Sequence, residues 1–167
     1  MVTVLVPVFP NWYPFNDMLI DGHLKIGVFG VKTRSYDWKY RGPVLLYNSG
    51  RTTTSCREAY GYPKDASSRH MIVGAADLVV VRRLTRDELR MMRQRFNNLT
   101  PAQMRAHPDL VKVIPLPFGY FFTSAVRFTN PVPFAWKPGP VKPIFIAIPP
   151  DSALETEFRI TGLSKKL

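Results

Sequence analysis

The sequence predicts an α+β domain in which a small β-barrel or strongly bent sheet carries short helices packed around it. Three observations lead there. The chain has 167 residues with 46% apolar content, about one domain's length and enough apolar material for a proper core. Its β-branched and aromatic segments are short and separated by Pro- and Gly-rich turns. Helix signals fall in two regions only, so the regular strand and helix alternation of a doubly wound sheet is missing.

In chain order, residues 2–9 are rich in β-branched side chains and read as a buried first strand ending at Pro10. Residues 11–22 offer a turn and a short apolar helix around Phe15, Met18, Leu19 and Ile20, closed by Gly22 and suited to plug one end of a barrel. A Gly-punctuated apolar segment, 25–30, leads into a basic and aromatic arm, and Arg41-Gly42-Pro43 turns the chain into a strand over 44–48. Residues 49–68 are polar and read as a long surface loop with room for a helical turn. The run 71–81 is a core strand in which Gly74 allows a bend.

Thr85-Arg86-Asp87-Glu88 is a capping box, and Leu89, Met92 and Phe96 share one face of the helix it starts, with Arg86, Arg90 and Arg93 on the other. Thr100-Pro101 starts a second short helix ending near His107-Pro108. Residues 111–114 are too short to assign. A strand over 119–128 ends at Asn130-Pro131-Val132-Pro133, and Pro140 and Pro143 bracket the approach to a last strand, 144–148. The organisation expected is one domain over 1–149 and a polar C-terminal tail over 150–167.

Lys and Arg number 23 against 12 Asp and Glu, a formal charge of +11. That imbalance implies an anionic partner: RNA or another nucleic acid, or a nucleoside or nucleotide ligand. No basic amphipathic helix or spanning run is evident, so no membrane is expected. The single cysteine, Cys56, excludes an internal disulfide and fits a reducing cytoplasm, while the apolar opening, broken by Pro7 and Pro10, reads as a strand and not a signal peptide. His23, His70 and His107 lack ligand spacing, so neither a metal nor another cofactor is expected.

The candidate site is the arm over 31–51. Lys32, Arg34, Lys39, Arg41 and Arg51 alternate there with Tyr36, Trp38, Tyr40 and Tyr47. Cations suit phosphate and flat rings suit stacked bases. The competing reading keeps Arg34 and Arg41 as braces of the barrel mouth, paired with Asp37 or other carboxylates, and leaves the rings on an ordinary strand. Trp12, Tyr13, Phe15 and the aromatic run 118–122 read as core.

Arg34, then Arg41-Gly42-Pro43-Val44-Leu45-Leu46-Tyr47-Asn48-Ser49 with Arg51 beyond, resembles the ASCH domain, a member of the PUA-like β-barrel superfamily. Ile72-Val73-Gly74-Ala75-Ala76-Asp77-Leu78-Val79-Val80-Val81, the helix after Leu84-Thr85, and Tyr120-Phe121-Phe122 with Pro131-Val132-Pro133 are similar to its later elements. The resemblance covers 1–149. It implies a PUA-like barrel with an RNA- or nucleotide-binding cleft, at which Arg34, Arg41, Ser49 and Arg51 are the matching polar positions.

Some members of the family resemble amidohydrolases of N4-acylated cytidine that use Lys and Thr with a carboxylate. With the arginines in register, the family's Gly falls on Gly27, its Lys on Phe29, its Thr on Gly30 and its Glu on Lys32. A shifted reading offers Lys32 and Thr33 as catalytic candidates, a desolvated lysine acting as base, with Asp77 or Glu88 as the carboxylate. The binding surface expected is Lys32, Arg34, Trp38, Lys39, Tyr40, Arg41, Ser49 and Arg51. A third reading is a viral or accessory factor that binds a protein partner.

Overall fold

The computed structural model describes residues 4–65, 67–97, 101–106, 116–136 and 142–167. Seven strands form one mixed sheet: β1 (Leu5–Tyr13), β2 (Lys25–Ile26), β3 (Phe29–Arg34), β4 (Gly42–Thr52), β5 (Met71–Arg83), β6 (Phe118–Pro133) and β7 (Ile144–Ala147). Their order is β2-β3-β6-β5-β4-β1-β7, with β1 and β4 parallel and the other pairs antiparallel. The helices are α1 (Phe15–Ile20), α2 (Thr54–Ala59), α3 (Arg86–Asn97), α4 (Pro101–Ala106) and α5 (Ala153–Ile160), followed by a 3₁₀ turn, Leu163–Lys166. The α+β class is as expected. The regions 111–114, 107–108 and Pro140 lie outside the described residues.

The expected barrel is not closed by hydrogen bonds: the sheet ends at β2 on one side and β7 on the other. The sheet does curl strongly. Phe9 of β1 meets Tyr120 and Phe122 of β6 at ring separations of 5.7 and 5.5 Å, although β4 and β5 lie between those strands in the ladder. The segment after β3, residues 35–41, crosses the open side without strand pairing, and its Trp38 stacks on Phe9 and Tyr120 and touches Phe145 of β7. Aromatic packing therefore spans the gap that a ladder would have closed.

Alternation along the strands divides the core. Val44 and Leu46 point into the concave side with Phe9, Leu78, Tyr120 and Phe122, where α1 adds Met18 and Leu19. Leu45 and Tyr47 point outward with Val6, Val8 and Ile72. That outer layer is covered by residues expected to be a tail: Leu154 and Phe158 of α5 and Leu163 are buried there, and Glu157 accepts the N–H groups of Thr129 and Asn130 at 2.9 and 3.0 Å. A third cluster joins Val31 and Phe121 to Leu84 and Met92 beneath α3.

Several strands outrun their expected ends. β1 continues through Pro10, because β7 pairs only with Leu5 to Val8 and the free edge beyond tolerates a residue without an N–H. β6 likewise continues through Pro131 and Pro133 at the end of its pairing with β5. Gly74 lies at a register shift, and a Cβ there would fall 2.3 Å from the Val126 carbonyl oxygen. The long polar loop contains α2, which buries Cys56 and Arg57.

Candidate functional site

The concave side opens at a cavity of about 250 Å³ between β1, α1 and β3. Strand alternation decides which arm residues reach it. On β3, Val31 and Thr33 face outward, whereas Lys32 and Arg34, opposite Tyr120 and Phe118, face inward. Lys32 and Arg34 line the cavity with Trp12, Phe15 and Tyr36 as aromatic walls, and Pro10 and Asn11 complete the β1 side.

Arg34 ties the two ends of the curled sheet together. Its Nη2 donates to the Pro10 carbonyl at 2.6 Å and to Asn11 Oδ1 at 2.5 Å, and Nη1 donates to the Thr33 carbonyl at 3.3 Å. The guanidinium lies 4.6 Å from the centre of the Phe9 ring. All three acceptors are neutral. A guanidinium has five N–H groups, so these three bonds, with the Tyr36 hydroxyl as a further neighbour, leave donor capacity for a ligand. Burial lowers the Arg34 pKa from its ordinary value.

Lys32 is half-buried. Its Nζ sits 3.4 Å from the centre of the Phe15 ring, and among the described residues it has neither a carboxylate nor a hydrogen-bond acceptor. Burial, and then the neighbouring Arg34 charge, push its pKa well below the usual lysine value, with Cys56 acting weakly the other way. The Tyr36 hydroxyl is buried beside the side chains of Arg34 and Tyr120, both of which act on it. Burial raises its pKa. The cavity thus brings two basic side chains and a tyrosine hydroxyl to aromatic walls, with no acid beside them among the described residues.

A chain of buried amides supports the β1 wall. Asn11 Nδ2 donates to Asn16 Oδ1 at 2.6 Å, Asn16 Nδ2 donates to the Tyr47 carbonyl at 2.8 Å and to Asn48 Oδ1 at 3.2 Å, and Asn48 Nδ2 donates to Asp17 Oδ2 at 3.0 Å. Asp17 then pairs with Arg127, which also holds Asp21. These residues were not singled out from the sequence. Asn48 nonetheless shares the inward parity of Val44 and Leu46, and a polar residue at an inward position was a readable signal of a buried network.

The other expected site residues separate. Trp38 and Tyr40 are stacked within the protein, 5.1 Å apart, and the Tyr40 hydroxyl donates to the Pro43 carbonyl. Arg41 braces the arm, donating to the carbonyls of Trp38, Tyr40 and Val81 rather than to a carboxylate. Lys39 is exposed and paired with Asp37 at 3.1 Å. Ser49 Oγ accepts the Arg51 N–H at 3.4 Å, and the Arg51 guanidinium lies 5.5 Å from the Trp12 ring, beside the cavity wall. Lys142, not anticipated, stands 5.8 Å from the Tyr36 ring.

The Lys, Thr and carboxylate set does not assemble. Thr33 Oγ1 accepts the Leu116 N–H on the outer face of β3. Asp77 is held by Lys166 at 2.5 Å, and Glu88 is engaged by Thr85 and Arg82 in the capping box. No group of three metal-ligating side chains occurs among the described residues, and none of their helices is long and apolar enough to cross a membrane.

No family model matches the sequence, and no curated protein matches it. Among solved structures the chain is similar to the crystal structure of ASCH from Zymomonas mobilis, with 12% identity, a TM-score of 0.41, and 76% of this chain and 72% of that chain covered. It is similar to a tyrosine-to-phenylalanine mutant of that protein at 12% identity and TM-score 0.41, over 76% and 74% of the two chains. A serine-to-alanine mutant gives 9% identity and TM-score 0.44 over 90% and 92%.

Proposed function

We propose that the protein is a PUA-like, ASCH-type binding domain that holds RNA or a nucleotide-like ligand at the cavity of Lys32 and Arg34. In this reading the ASCH-type unit spans 1–149, and residues 150–167 are an addition packed on its outer face. One observation carries the proposal: Lys32 and Arg34 line a ring-walled cavity with no carboxylate beside them among the described residues. A half-buried cation without an acidic partner is costly, and an anion supplied by a ligand relieves that cost. The rings of Trp12 and Tyr36 offer faces for a base, worth about 1 to 3 kcal/mol per stacked base. Arg51 over Trp12 and Lys142 over Tyr36 extend positive charge past the mouth. The net charge of +11 supports the same class of partner.

The test is single-stranded RNA binding followed by fluorescence anisotropy across a salt series. Arg34→Ala and Lys32→Met should each weaken binding by about tenfold or more and flatten the salt slope by about one ion. Lys39→Ala should change little. Unchanged affinity and slope in both cavity variants, with their folds verified by thermal melts, would reject the cavity as the binding site.

A further inference from the structure

We propose that Lys32 is also a covalent site: its amine condenses with the carbonyl of a short α-keto acid seated in the cavity, whose carboxylate rests against Arg34. This goes beyond ligand binding and does not depend on that ligand being a nucleotide.

Lys32 differs from Lys39 and Lys166 in its surroundings. Lys39 and Lys166 have carboxylate partners at 3.1 and 2.5 Å. Lys32 has no such partner among the described residues, and its Nζ lies over the Phe15 ring at the cavity wall. An apolar site and a cationic neighbour are the two devices that turn a lysine into a nucleophile. Both are present, because burial and Arg34 act together on Lys32.

Arg34 contributes a second property. With its three described hydrogen bonds made to neutral oxygens, it retains N–H groups and a full charge for a carboxylate. The small cavity suits a short compound. In the reaction the Lys32 nitrogen lone pair forms a C–N bond to the carbonyl carbon as the C=O π pair moves to oxygen, and a proton passes from nitrogen to that oxygen. The resulting carbinolamine takes up a proton on oxygen and breaks its C–O bond. One water leaves, and no oxidant or reductant is consumed.

The native chain is incubated with pyruvate, or with uncharged propanal, and sodium cyanoborohydride as the trapping reductant, then digested for peptide mass analysis. The expected result is one reduced adduct per chain, on the peptide carrying Lys32, formed at least about tenfold faster than on Lys39, as each unit of lowered pKa enriches free amine tenfold. Arg34→Met should slow both reactions at Lys32, because the amine loses the neighbouring charge that disfavours its protonation, and should slow the pyruvate reaction by about a further tenfold, because only pyruvate also loses its carboxylate partner. Adducts spread over exposed lysines with Lys32 unmodified would overturn the proposal, as would an equal effect of Arg34→Met on both probes. RNA binding measured on the same chain is scored separately, so either proposal can fail alone.

Discussion

Lys32 makes the structure pay for its own site. Its folded pKa lies below that of the unfolded chain, so between the two values the unfolded state binds the extra proton. Stability therefore rises with pH across that window, and the full penalty applies below it. Lys32→Met should raise the thermal midpoint at neutral pH, by about 2 to 4 °C per kcal/mol relieved, and should remove the alkaline rise. A variant that melts lower at pH 7 and keeps the same alkaline slope would contradict the assignment. Asn48→Leu acts oppositely: it strips partners from Asn16 and Asp17 and should destabilise by about 1 to 3 kcal/mol for each group left unmatched, measured by urea unfolding. At this scale the sequence revealed the residue types and left their direction to the register. Lys32, Thr33 and Arg34 are neighbours in the chain, but a strand sends them to alternate faces, and only pairing with β6 showed which face holds the cavity.

Among the elements, α3 was legible because its capping box is local. Glu88 N–H donates to Thr85 Oγ1 at 3.2 Å, and the Thr85 N–H donates back to Glu88 at 2.9 Å. The hydrogen bond from Arg82 leads in holding the Glu88 pKa at about 2. The stabilisation is thus present above the unfolded carboxylate range and is lost as pH falls towards 2. Solvent screening limits it to the order of 1 kcal/mol. Glu88→Gln should flatten the acid limb of a melt series between about pH 4 and 2; an unaltered limb would show that Glu88 carries no such linkage. The same chemistry at α5 was hidden by polar composition. Ser152 Oγ accepts the Glu155 N–H at 3.1 Å, while Leu154 and Phe158 form the buried face. Ser152→Ala should cost about 1 kcal/mol in urea unfolding. No loss would mean that α5 holds by packing alone.

For the whole molecule, the α+β class and most strands were readable from turn residues and β-branched runs, whereas closure was not. Whether a curled sheet seals by a ladder depends on contacts between strands far apart in sequence. Here the span is made by Trp38 between Phe9, Tyr120 and Phe145. That packing takes Trp38 and Tyr40 out of the expected stacking surface and leaves Lys32, Arg34, Ser35 and Tyr36 as the arm's contribution to the cavity. The measurement closest to this claim is side-chain NMR of lysine and arginine during titration with single-stranded RNA. The Lys32 and Arg34 resonances should shift first and saturate together, with Lys39 unmoved. Shifts confined to Lys39 and the α3 arginines, with Lys32 and Arg34 silent, would place the ligand elsewhere and contradict the account.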